Sequence, residues 1–244
     1  MALHQKQIAL ESIKDQDWTG KKVLDIGCSN GNLSLRVMRK TNAEELCGVD
    51  TAMDRISKAC ALANNNPTEK LSFFVANADN LKKIANDSFD IVFSNMAFRQ
   101  FKDKQKSLEE IHRVLKRGGE AFINFNIEKS PTWYQQEVVY NKLFGDPNKE
   151  VSRAKNFDSS EFEPMVQKAG FTEIDIKIFD NVYYYQKFDE AVDENDDNFF
   201  AKEKGLTLEQ NRKLNSELEK YMESTREEKG IPESWKIMFV KLRK

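Results

Sequence analysis

Histidine is almost missing from this 244-residue chain, which has only His4 and His112. Cysteine is scarce too, with Cys28, Cys47 and Cys60. No spacing among these residues fits a metal-ligand set, so no metal is expected. An odd number of cysteines on predicted core elements points to reduced thiols and a cytoplasmic protein. No apolar run is long enough to span a bilayer, and the start at Met1 lacks the apolar core of a signal peptide. Neither sign of charge dominates: 38 Lys and Arg against 40 Asp and Glu leave a formal net charge of -2. Such a chain has no broad polyanion-binding surface, so nucleic acid and anionic membrane are poor partners and a small-molecule substrate is favoured. Repeats and long low-complexity tracts are absent as well. The length suits one domain with a full core, as a monomer or homodimer.

What is present is organised around one stretch, Val23 to Ser34. An apolar strand ends in Asp25-Ile26, a turn of small residues follows, and Leu33 and Val37 start a helical pattern. Gly27 and Gly31 bracket the turn. Without side chains there, a flat ligand approaches the backbone beside the N–H groups of the new helix. Asp50 ends the next strand, where a ribose bound over the first turn would place its hydroxyls. The turn also lacks two things. Ser29 stands where a dinucleotide turn needs its second glycine, and no Gly-Lys-Ser/Thr follows, so pyrophosphate and triphosphate sites are disfavoured.

Further along, strands and helices alternate. The pattern predicts helices over 3–15, 32–40, 53–63 and 104–116. It predicts strands over 45–50, 71–76, 89–93 and 120–125, with a turn at Lys116 to Gly119. Such alternation implies right-handed βαβ crossovers and a parallel sheet. Ligands of such sheets bind at the carboxyl ends of the strands, where Asp25, Asp50, Asp79 and Asn95 all fall.

The stretch Asp25 to Gly31 resembles the first motif of class I S-adenosylmethionine-dependent methyltransferases, with Ser29 in place of the middle glycine. Cys47 to Asp50, Ala78-Asp79, Phe89 to Asn95 and Glu110 to Gly119 resemble its later motifs. The similarity covers about residues 20 to 126 and is nearest to the small-molecule methyltransferases of the ubiquinone, biotin-precursor and trans-aconitate kind. It implies a Rossmann-like, doubly wound α/β fold with a seven-stranded sheet, mostly parallel, whose last strand enters antiparallel at the sheet edge. It implies S-adenosylmethionine as cofactor and S-adenosylhomocysteine as product. Asp25, Gly27, Cys28, Ser29, Gly31, Asp50, Thr51, Met53, Ala78, Asp79, Ser94 and Asn95 then form the cofactor site. Asp25 accepts near the cofactor's ammonium and Asp50 takes the ribose hydroxyls. Asp79 takes the adenine amino group, Ala78 and Met53 pack on the ring, and a backbone carbonyl at Ser94-Asn95 helps hold the amino group. Ser94 to Ala97 is not the Asn-Pro-Pro-Tyr/Phe used for nucleic-acid or protein-glutamine N-methylation.

The chain divides on this reading into an N-terminal helix (1–19), a cofactor-binding core (20–126) and a substrate-side half (127–244) of one domain. In that half, helices start at Ser130-Pro131, at a capping box of Ser160 with Glu163, and at another of Thr207 with Gln210. Residues 172–179 alternate as a strand that 182–185 continue or restart, 189–197 read as a solvated acidic link, and 237–243 form the last strand. Helices around 189–230 make a lid-like cap. His112 belongs to a helix face with Leu108, Ile111 and Leu115, and His4 lies on the first helix, so neither is a candidate base and the catalytic residue stays unassigned. Arg99 stands where the similar family often has a histidine. With Trp133, Tyr134, Tyr183, Tyr184 and Tyr185 it would hold a small anionic acceptor through a bidentate carboxylate pair. The competing reading makes Arg99 a loop surface residue and the aromatics core. Two further readings share the pattern: a catalytically silent S-adenosylmethionine-binding module acting through a partner, and a nicotinamide oxidoreductase, which the missing glycine disfavours.

Overall fold

Strand β1 (Lys22–Ile26) is flanked on both sides by parallel strands, β2 (Glu45–Asp50) and β4 (Phe89–Asn95). These belong to a computed structural model that describes residues 3–129, 131–151, 159–192 and 199–244. A strand enclosed in this way must be apolar on both faces. Val23, Leu24 and Ile26 of β1, Leu46 and Val49 of β2, and Val92 and Phe93 of β4 are accordingly buried. β3 (Leu71–Val75) pairs parallel with β2, and β5 (Leu115–Asn126) pairs parallel with β4. The helices α2 (Asn32–Thr41), α3 (Met53–Asn64) and α4 (Lys104–Val114) lie in the chain before β2, β3 and β5.

The full order is β3-β2-β1-β4-β5-β7-β6, with β6 (Glu173–Tyr185) and β7 (Ile231–Arg243) completing seven strands. The chain winds from β1 out to β3, then returns past β1 to β4. Strand order therefore reverses between β1 and β4, the place where ligands of such sheets bind. β7 runs antiparallel to β5: Ile127 N–H donates to Lys236 C=O, and Gly118 N–H donates to Lys244 C=O.

Two compact units emerge. The larger comprises Gln5–Phe125, a second stretch that carries α6 (Ser159–Ala169) and ends at Ile178, and Met238–Lys244. It contains α1 (Leu3–Ser12) from Gln5 onward, whose Ile8 and Ala9 are buried, and Trp18, whose ring meets Phe93 and Phe122. The smaller runs from Asn126 through α5 (Pro131–Phe144) and includes Phe179–Ile237. Its helices are α5, α7 (Phe188–Ala191), α8 (Phe199–Glu203) and α9 (Leu208–Ser224). Tyr185, Phe188, Val192, Leu218, Met222 and Ile231 form its core. Thr207 and Gln210 make the expected reciprocal cap on α9, at 3.2 and 2.9 Å.

Several boundaries differ from the sequence pattern. Lys116 to Gly119 is not a free turn: β5 starts at Leu115, and a bulge takes up the extra residues between the Phe89–Leu115 and Ile91–Glu120 pairs. The closing strand starts at Ile231 rather than Ile237 and lies between β5 and β6, so β6 takes the edge. β6 itself is one continuous strand. Helix α6 begins at Ser159, which puts Ser160 inside it rather than at its cap. Phe188–Ala191 is a helical turn where a solvated link was expected, and the rest of that link, 193–197, lies outside the described residues, as does Ser130. Among the described residues no helix is long and apolar enough to cross a membrane, and no group of three His, Cys, Asp or Glu could hold a metal.

Candidate cofactor site

The turn after β1 is held by β2. Gly27 and Cys28 N–H groups both donate to Val49 C=O, at 2.8 and 3.1 Å. Gly27 has φ 84°, and a Cβ there would sit 2.3 Å from the Cβ of Ala97, so the turn after β1 packs directly on the segment after β4. Ser29 and Met96, on these same two segments, hold left-handed φ values of 52° and 58° despite being non-glycine residues. Such conformations cost of order 1 kcal/mol each and concentrate where a site imposes them.

Asp50 closes β2 and braces both turns beside it. Its Oδ2 accepts the Ser29 N–H at 3.0 Å and its Oδ1 accepts the Ala52 N–H at 3.0 Å. Each carboxylate oxygen has a second lone pair, so the group remains able to accept two more donors side by side. Asp25, 3% exposed, accepts the Ser34 hydroxyl at 2.6 Å. Burial pushes its carboxyl up to about 7; the Ser34 hydrogen bond opposes this and the nearby Asp50 charge adds to it. A cation brought to this carboxylate would favour its ionised form. Burial also raises the Cys28 thiol, which is therefore inert packing inside the turn.

At the end of β4 the side chains are engaged within the protein. The Ser94 hydroxyl donates to Ile26 C=O at 2.9 Å, tying β4 to β1. Asn95 Nδ2 donates to the Gln5 C=O of α1 at 3.2 Å. Asn124 Nδ2 donates to Ser12 Oγ at 2.7 Å, so two asparagines on neighbouring strands fasten α1. Asn124 and Asn126 lie outside the residues that the sequence motifs single out. The signal was there in Asn124-Phe125-Asn126, polar residues alternating with a buried apolar one at a strand's carboxyl end. Of the other residues expected here, Thr51 and Met53 after β2 are exposed, while Ala78 is buried and Asp79 half-buried after β3.

Residues 18–170 match the sequence profile described as a methyltransferase domain. This chain belongs to that family. Among curated relatives of this methyltransferase-domain protein, a 2-phytyl-1,4-naphtoquinone methyltransferase of Nostoc sp. is 30% identical over 135 residues, which are 50% of this chain and 58% of that protein. A ubiquinone/menaquinone biosynthesis C-methyltransferase of Haemophilus ducreyi is 30% identical over 150 residues, 60% of this chain and 51% of the relative. The chain thus spans about half the length of the curated relatives it matches. Among solved structures, the YcgJ protein of Bacillus subtilis superposes with a TM-score of 0.62 at 21% identity, covering 99% of this chain and 98% of that one. Phosphoethanolamine N-methyltransferase 2 of Haemonchus contortus, solved with S-adenosyl-L-methionine, gives 0.61 at 18% identity and covers 99% and 52%. At these identities the likeness shows the fold, a Rossmann-like methyltransferase sheet.

The residues expected at the acceptor divide between the two units. Arg99 lies in the larger, on the 3-10 turn Phe98–Gln100 after β4, half-buried, with its pKa lowered by desolvation. Trp133, Tyr134 and Tyr183 to Tyr185 lie in the smaller. Tyr185 is 1% exposed in that unit's core, so its ring is packing and not an open wall. Tyr183 stacks edge-on against it at 4.9 Å, Tyr184 meets Lys229, and Trp133 packs edge-on against Phe200 at 5.3 Å. His112 lies at the edge of the core, edge-on to Phe171 at 5.1 Å, with burial lowering its pKa. The side chain of His4 is outside what the structure describes.

Proposed function

We propose that this protein binds S-adenosylmethionine at the carboxyl ends of β1, β2, β3 and β4 and moves its methyl group to a small anionic acceptor. The observation that carries the reading is Asp50: a carboxylate braced by two backbone N–H groups, each oxygen with a lone pair to spare, beside a glycine-bracketed turn. That arrangement suits the vicinal hydroxyls of a ribose. Asp25 suits the cofactor's ammonium, since an adjacent cation would favour the ionised form of this buried carboxyl, which burial pushes up to about 7. Acidic rather than basic groups at three of the four tips fit a ligand without phosphate.

The bound cofactor supplies an electrophilic methyl group. The protein's part is to hold that cofactor and its acceptor in line, which is worth roughly 7 to 11 kcal/mol of a barrier. A carboxylate, thiolate or stabilised carbanion acceptor needs no base, in keeping with the poor placement of His112. Arg99, a partly desolvated cation on the turn after β4, suits an acidic group on the acceptor. Methyltransferases named for quinones among the relatives support a small molecule as acceptor. Incubating the protein with radiolabelled S-adenosylmethionine and fractionated metabolite pools tests the reading. Label transferred to small acidic compounds supports it. Cofactor binding without transfer to any pool selects the silent module instead.

A further inference from the structure

Helix α4 carries a polar pair that the cofactor tips do not use directly. Every N–H donor of the Arg113 guanidinium is occupied. Nε and Nη2 donate to the two oxygens of Glu110 at 2.6 and 2.9 Å. Nη2 also donates to Leu81 C=O at 3.0 Å, and Nη1 donates to Ile84 C=O and Asn86 Oδ1 at 2.9 and 2.7 Å. Glu110 in turn accepts the Leu81 N–H at 2.7 Å. Leu81 is therefore gripped through both its N–H and its C=O, two residues beyond Asp79.

The segment so gripped has no helix or strand of its own. It joins β3 to β4, is closed by an Asn77–Asn80 bridge, and buries only Ala78, Leu81 and Ile84. A loop with few apolar anchors holds one conformation only if its backbone groups are tied down. Planar, five-donor recognition of carbonyls and a carboxylate is what arginine offers and lysine does not.

We propose that Glu110 and Arg113 act together as positioning residues for the adenine end of the cofactor site, fixing the Ala78-Asp79 segment so that Asp79 meets the exocyclic amino group. The pair touches no reacting atom and acts only through the loop; the inference rests on the cofactor reading above. Its consequence is selective: the pair supports recognition of the adenine amino group and contributes little to the grip on ribose or the amino-acid tail, which belong to Asp50 and Asp25.

Calorimetric titration of the full chain, Arg113→Lys and Glu110→Gln with S-adenosylhomocysteine and with its analogue lacking the adenine amino group tests this, with thermal melts to establish folding. The expected result is a loss of about tenfold in affinity for S-adenosylhomocysteine in either variant, with the analogue's affinity within about twofold of wild type. Glu110→Gln, which keeps an acceptor oxygen for Leu81, carries the test alone should Arg113→Lys not fold. An equal loss for both compounds, or no loss for either, overturns the inference. Failure of the wild-type chain to bind either compound overturns the cofactor reading instead.

Discussion

Replacing Asp25 by Asn should make the ligand-free protein more stable at pH 8 while weakening its hold on the cofactor. The carboxyl is pushed from its ordinary 3.8 up to about 7 because burial penalises the charge. Below pH 3.8 it is protonated in both folded and unfolded chains and has no effect on pH dependence. Between 3.8 and about 7 the unfolded chain has released this proton and the folded chain has kept it, so wild-type stability falls as pH rises. Above about 7 both states are ionised and the loss is complete. About three pK units at 1.36 kcal/mol each give a total of about 4 kcal/mol, of which about 2 to 3 falls between pH 5 and pH 8. Asparagine keeps an acceptor for the Ser34 hydroxyl and has no charge to bury. Urea denaturation of both proteins at pH 5 and pH 8 isolates this group and the neighbours coupled to it, because every uncoupled titration cancels in the difference. The stability gap should shift toward the variant by about 2 to 3 kcal/mol across that interval. Parallel pH profiles would refute the reasoning. The variant's affinity for S-adenosylhomocysteine should fall by about tenfold, the loss of one charge-assisted contact.

Three other substitutions probe separate parts of the account. Gly27→Ala places a methyl 2.3 Å from the Ala97 Cβ at a φ of 84°, so it should cost about 2 to 4 kcal/mol in urea denaturation. Thr207→Ala removes one half of the cap on α9 and should cost about 1 kcal/mol by the same assay. Arg99→Ala should raise KM for the acidic acceptor by about tenfold and leave affinity for S-adenosylhomocysteine unchanged; an unchanged KM excludes an anion site at Arg99.

The half of the chain that reads most clearly is the one whose structure is local. Strands β1, β2 and β4 are short apolar runs ending in Asp25-Ile26, Asp50 and Asn95, and each is followed at once by a turn of small or polar residues. Their positions at one sheet edge follow from βαβ connectivity alone. The roles of Asn95, Asn124 and Arg113 depend on partners far away in sequence: Asn95 meets Gln5, Asn124 meets Ser12, and Arg113 meets Leu81 and Ile84. No period or motif encodes such pairings. Tyr183 to Tyr185 part from one another for a related reason. Three aromatics in a row suggest a wall, but alternation along β6 buries Tyr185 and leaves Tyr184 beside Lys229. The resemblance implies an edge position for the last strand, whereas β6 pairs along its outer side, a pairing that the sequence of β7 does not reveal.

The central claim is that the tips of β1, β2, β3 and β4 together hold an adenosyl group with an amino-acid tail. Calorimetric titration of the purified chain with S-adenosylhomocysteine at pH 8 addresses it directly. The account predicts saturable heat with one site per chain, abolished when Asp50 is replaced by Ala. Absence of any saturable signal in a protein shown to be folded would contradict it.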